Sequence, residues 1–192
     1  MYPRRRVRSP AVRHHEPRTR PVVMLSLARL WFDICIGRAA PQDLPASGPL
    51  LALSLGCYAL VSMLVSLGSY GPGGAAQLAL LDLGLLTVFV LSLLYLQNRT
   101  ARINQTLSAL AGTGSLLGLF ALPLVWWVQP DQSPEQVPVL LTLFWLGLLV
   151  WNLLVMAHIM RHALSSSFPV GLGVALLYVL VSMQVIGRVF PQ

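Results

Sequence analysis

In the stretch QLALLDLGLLTVFV, residues 77–90, a single carboxylate, Asp82, interrupts a run that is otherwise uncharged. An ionised Asp at the centre of a membrane-spanning helix costs about 2.5–3.5 kcal/mol on an insertion scale, so such a group faces protein and takes a partner or a proton. Counted from Ala75, Asp82 lies seven residues into its span, about 10 Å at helical rise. Gln184 and Arg188 stand four residues apart near the same end of the last span, hence on one helix face, and an Arg side chain can reach down from the interface. The spacing predicts a cluster of Asp82, Gln184 and Arg188. It would be a structural clamp between two spans or a protonatable binding site.

Other chemistry-bearing residues are sparse. MAHIMRH places His158 and His162 one turn apart beside Arg161, but no nearby carboxylate or Cys completes a metal site. A haem held between helices usually takes His from two of them, and the other spans have none. Ser115 in GTGS lacks the G-x-S-x-G context of a strained nucleophile elbow. No phosphate-binding loop or dinucleotide fingerprint appears. The expectation is a protein with no catalytic residue, no metal and no cofactor. Cys35 and Cys57 make no disulfide framework and read as free thiols in apolar surroundings. Gly114 and Gly118, with Gly112, form a small-residue face in the third span. Such a face suits either a second copy of the chain or packing within one bundle.

The elements that must position these residues follow from composition. Of 192 residues, 56% are hydrophobic and 10% charged, with a mean hydropathy of +0.71, whereas a soluble domain carries about 25% charged residues. The long, Leu-rich runs match the roughly 20 residues that a bilayer-crossing helix needs, and they lack the alternation of a β-barrel. Five spans are expected, at 50–69, 75–97, 106–128, 138–160 and 169–187, forming a membrane domain over 50–188. The fold class is all-α, an integral membrane bundle of five helices preceded by an interfacial amphipathic helix at 24–37. In that helix Ser26, Arg29 and Asp33 share a narrow polar stripe.

Charge is segregated. Residues 1–23 hold seven Arg against one acid, Glu16, for +6; the other 169 residues hold six Arg and five acids, for +1. The Arg- and Pro-rich tail has no apolar periodicity and is expected to be disordered. It reads as a lipid tether, or as an extension upstream of a start at Met24, with nucleic-acid binding not expected. With five alternating spans, Arg29, Arg38, Arg99, Arg102 and Arg161 fall on one side and Arg188 alone on the other. The positive-inside rule then puts the N-terminus in the cytoplasm and the C-terminus outside. All thirteen basic residues are Arg, which points to a GC-rich bacterial genome and so to an inner membrane.

From Leu25 to Val189 the layout resembles the Yip-domain family of multi-pass membrane proteins. The resemblance is carried by the stretch ending near GRAAPQDLPAS and by five closely spaced spans. It is also carried by the basic approach NRTARINQTLSALAG and the closing pair WNLLVMAHIMRHALSSSFPVGLGVALLYVL. It implies a cytoplasmic N-terminus and a non-enzymatic protein acting in membrane organisation or helix-mediated assembly. The family's eukaryotic link to Rab GTPases does not transfer to a bacterium. The alternative drawn from the residues is a small transporter, or a subunit of one, using Asp82 as an ion- or proton-linked group. The partners expected are the lipid bilayer and a second copy or another membrane protein through Gly114 and Gly118.

Overall fold

The computed structural model describes residues 20–127 and 138–190. The readings of the tail before Arg20 and of the loop at 128–137 lie outside the described residues. The elements are α1 (Arg20–Cys35), α2 (Gly48–Leu96), α3 (Ile103–Trp127), α4 (Val139–Ala163) and α5 (Phe168–Val189), with short 3-10 turns at Pro41–Asp43 and Thr100–Arg102. No strand occurs among the described residues. Four helices are long and apolar enough to cross a membrane. The protein is an all-α, membrane-embedded, multi-pass bundle.

The longest helix is two crossings in one. A straight helix of 49 residues would run about 73 Å, more than twice the ~30 Å hydrocarbon core of a bilayer. At Gly71 the backbone takes φ 66° and ψ 177°, a region open essentially to glycine alone. The chain reverses there. Tyr58 and Asp82, 24 residues apart, are joined by a hydrogen bond of 2.6 Å, where a straight helix would hold them about 36 Å apart. The limbs 48–70 and 72–96 therefore make two spans, and the bundle has five, as the sequence predicts. Pro72 opens the second limb, a position that suits its fixed φ and missing N–H. That limb begins three residues earlier than Ala75, the expected start.

α3 is the central helix, buried continuously from Thr106 to Thr113. A small-residue face admits its neighbours. A Cβ on Gly114 would stand 2.8 Å from the ring of Tyr58, and one on Gly118 would stand 2.6 Å from Val61 Cγ1. The first limb of α2 thus packs on this face, so Gly114 and Gly118 serve contacts within the chain, one of the two uses that the sequence allows. α4 and α5 form a hairpin whose closest approach sets Gly171 against the backbone of Ala157 and Arg161.

α1 starts at Arg20 rather than Met24 and ends at Cys35, with Gly37 at φ 72° closing it. Gly37 N–H donates to Ile34 O, and Arg38 N–H to Asp33 O, so glycine ends the helix as expected. The interfacial placement is modified, however. Trp31, Ile34 and Cys35 are buried, and the Trp31 ring lies where a Cβ on Gly112 would be. Gly112 is nine residues into α3, about 13 Å along its axis. Trp151 Nε1 donates to Cys35 O at 2.9 Å. α1 therefore packs on the shafts of α3 and α4, where a helix lying in the interface would touch only their ends. Its outward face is mixed, with Phe32 and Ile36 exposed beside Arg29. Burial pushes the Cys35 thiol up to about 12, which keeps it protonated and inert.

Gly71→Ala should lower the thermal stability of the detergent-solubilised protein by about 1–3 kcal/mol, the cost of forcing a side chain into that backbone region. Gly73→Ala, two residues on in helical conformation with open space around it, should be neutral or stabilising. Equal melting temperatures for the two variants would show that the reversal does not depend on Gly71.

Candidate functional site

Three polar side chains meet at one level of the bundle. Tyr58 comes ten residues after Gly48, Asp82 ten after Pro72 and Tyr178 ten after Phe168, each about 15 Å along its helix. That is half the thickness of a bilayer core. Tyr58 Oη donates to Asp82 Oδ2 at 2.6 Å. Tyr178 Oη donates to Asp82 Oδ1 at 3.3 Å. The ring of Tyr178 is steadied by Phe89, with centroids 5.2 Å apart. Asp82 thus ties the two limbs of α2 to α5. Satisfied by two hydroxyls, it avoids the cost of an unpaired polar group in hydrocarbon.

Gln184 and Arg188 are not part of this cluster. Both lie on exposed positions of α5. The cause is depth. Because the second limb starts at Pro72, Asp82 sits three residues deeper than the count from Ala75 gives. It is level with Tyr178, while Gln184 lies six residues, about 9 Å, nearer the end of α5. Asp82 does meet the last span, but one and a half turns below the expected face. Two Tyr placed mid-span are themselves a signal, because tyrosines of membrane helices concentrate at the interfaces. Tyr95, Trp126 and Trp127 follow that habit at exposed helix ends.

Asp82 and both tyrosines also line a cavity of about 330 Å³. Its walls come from both limbs of α2, from α3, α4 and α5, and they are mainly Leu, Val and Met, with Ser62, Thr113 and Asn152 as further polar groups. Thr113 is spent internally, its hydroxyl donating to Ala109 O at 2.8 Å. Asn152 lies at an exposed position on the cavity wall. Among the described residues that line it there is no Arg, Lys or His. The cavity is a cleft rather than a sealed void. In α4, residues 142–147 are all exposed, whereas Val155, Met156, Ala157, Ile159 and Met160 are buried. α4 therefore closes on the bundle at one end and stands away from it at the other, while the far end of α5 stays tied to the α2 reversal through the Tyr70 and Phe190 rings, 5.4 Å apart.

The closed end carries Arg99, Arg102 and Arg161. Arg102 Nη1 donates to the carbonyls of His162 (2.9 Å) and Ala163 (3.1 Å) and to Ser165 Oγ (2.7 Å), and Arg99 reaches the same hydroxyl at 2.6 Å. These bonds reinforce the end of α4, where helix carbonyls run out of i+4 partners; His162 O also accepts from Ser165 N–H and from Gln42 Nε2, each at 3.3 Å. Gln105 Nε2 donates to Leu44 O at 2.9 Å, and His158 Nε2 lies 3.0 Å from Ala39 O. The His158 and His162 rings meet edge-on at 4.7 Å. Three connecting segments are thereby pinned together at one end, as five alternating spans require.

No protein-family model, curated protein or solved structure matches this chain.

Proposed function

We propose that this is a small, non-enzymatic carrier, or the subunit of one, in which Asp82 is the exchangeable group of an intramembrane ligand site. One observation supports the reading above others: a carboxylate at mid-bilayer depth, held by hydroxyls from two other helical segments, also lines a cleft that can admit a ligand. A purely structural clamp needs no space beside it. Two tyrosine hydroxyls give Asp82 dipoles but no compensating charge. A charge left in this position calls for a proton or a cation, and exchange of one for the other is the elementary step of a proton-linked carrier. The titratable groups facing Asp82 are Tyr58 from the first limb and Tyr178 from α5; the residues of α3 and α4 on the cavity are not titratable.

The Yip-like layout is compatible with this reading but supplies no ligand-binding residues. A second reading, helix-mediated assembly, draws support from the outer part of α4, exposed all round from 142 to 147. We place the protein in a bacterial inner membrane with the Arg-rich end in the cytoplasm, because Arg99, Arg102 and Arg161 gather there and Arg188 lies at the opposite end of α5. A reporter enzyme active only outside the cytoplasm should be active when fused after Gln192 and silent when inserted in RTARINQ. The reverse pattern would invert the orientation.

The exchange itself is tested without a ligand. Infrared difference spectra of the full-length protein should show a protonated-carboxyl band that grows on acidification and is missing from Asp82→Asn. A wild-type spectrum identical to that of Asp82→Asn across the pH range of the folded protein would reduce Asp82 to a clamp.

A further inference from the structure

On the reading of Asp82 as an exchangeable group, we infer that the cleft takes an organic cation: an alkylammonium group carried on an apolar tail, entering sideways from the bilayer. The first argument is charge. A carboxylate offers about four acceptor sites; the tyrosines occupy two and the Ser62 hydroxyl is a third partner, which leaves one open. With no basic side chain among the described residues of the wall, a bound cation would neutralise Asp82 where a proton otherwise must. An anion would be repelled, and a metal ion would find a single carboxylate among neutral hydroxyls, too few hard ligands to replace its water.

Shape and polarity narrow the class further. Tyr58 and Tyr178 bring two aromatic rings to the carboxylate, and Trp145 adds a third on the α4 wall. Aromatic faces attract an alkylated ammonium ion, most strongly where water is excluded. Beyond the carboxylate the wall is aliphatic, with Leu117, Leu148 and Met156 suited to a hydrocarbon tail rather than to a sugar or a nucleotide. A volume of about 330 Å³ lies at the small end of ligand pockets, which run ~300–1,000 Å³.

The route follows from exposure. Trp145, Leu149 and Asn152 line the cleft and are exposed, while α4 beyond residue 155 is buried against the bundle. The opening is therefore lateral, between α3 and α4, at the depth of the acyl chains. Only a molecule that partitions into the membrane reaches it.

The test uses the full-length protein in nanodiscs of phosphatidylglycerol, with octylammonium as the cation and octyl sulfate as its anionic counterpart, and empty discs to subtract partitioning. The cation should bind saturably and more tightly as pH rises through the Asp82 titration, since the carboxylate form holds it. Octyl sulfate should show no saturable binding. Asp82→Asn should weaken binding by roughly tenfold or more, the scale of one charge-assisted contact. Leu149→Trp, which narrows the cleft without touching the carboxylate, should weaken binding yet keep the titrating carboxyl band. Discs of phosphatidylethanolamine separate two sources of the same chemistry: lost affinity there assigns the site to a lipid's own ammonium headgroup, and unchanged affinity assigns it to a free amphiphilic amine. Saturable octyl sulfate binding, or undiminished cation binding by Asp82→Asn, overturns the inference. A carboxyl band that titrates while no cation binds leaves the exchangeable group standing and rejects the ligand class; a band that never titrates rejects both.

Discussion

A carboxylate in hydrocarbon has to find its hydrogen-bond partners within the protein, and much of this fold can be understood as the way Asp82 finds them. Its two donors come from sequence positions 24 residues before and 96 residues after it. Neither is within reach unless α2 folds back at Gly71 and α5 returns alongside. The same reversal sets the depth of the second limb, and the depth selects tyrosines rather than Gln184 and Arg188 as partners. A backbone conformation at one glycine thus determines which side chains meet mid-membrane.

The rest of the bundle holds that meeting point in place. Hydrophobic burial gives no net drive between helices that are already in lipid, so close packing and polar ties hold them together. α3 provides the packing: Gly112, Gly114 and Gly118 receive Trp31, Tyr58 and Val61. Seating Tyr58 against Gly114 also orients its hydroxyl toward Asp82. The polar ties lie at the Arg-rich end, where Arg102 caps α4 and draws the α2–α3 and α4–α5 connections together. Stability is concentrated at that end, and the cleft opens where α4 lacks such ties. Rigidity below and space above are what a ligand site within a bundle requires.

Much of this was legible in the sequence. Hydropathy marks five spans because each must bury about 20 residues, and YGPGG marks the reversal because proline and glycine break helices there. The distribution of Arg correctly gathers Arg99, Arg102 and Arg161 at one end. Asp82 announces itself by the cost of its charge. What sequence spacing could not fix was register between helices. A three-residue difference in where the second limb begins moves Asp82 by about 4.5 Å, enough to change its partners. Tyr58 and Tyr178 carry no charge that would single them out in the sequence, although their mid-span positions set them apart from Tyr95 at a helix end. The docking of α1 on α3 was hidden for a different reason. Gly112 reads as one more small residue until the indole of Trp31 is seen to occupy its missing side chain.

The tie between Tyr58 and Asp82 is the interaction whose loss would undo most of this arrangement, and its strength can be measured. A double-mutant cycle combining Tyr58→Phe with Asp82→Asn, read as unfolding free energy in a mild detergent, isolates the pair from the rest of the bundle. The cycle should give a coupling of about 0.5–3 kcal/mol, the range of directly contacting polar pairs. Additive effects within about 0.5 kcal/mol would mean that the two side chains do not touch, and that neither the reversal at Gly71 nor the site built on it is as described.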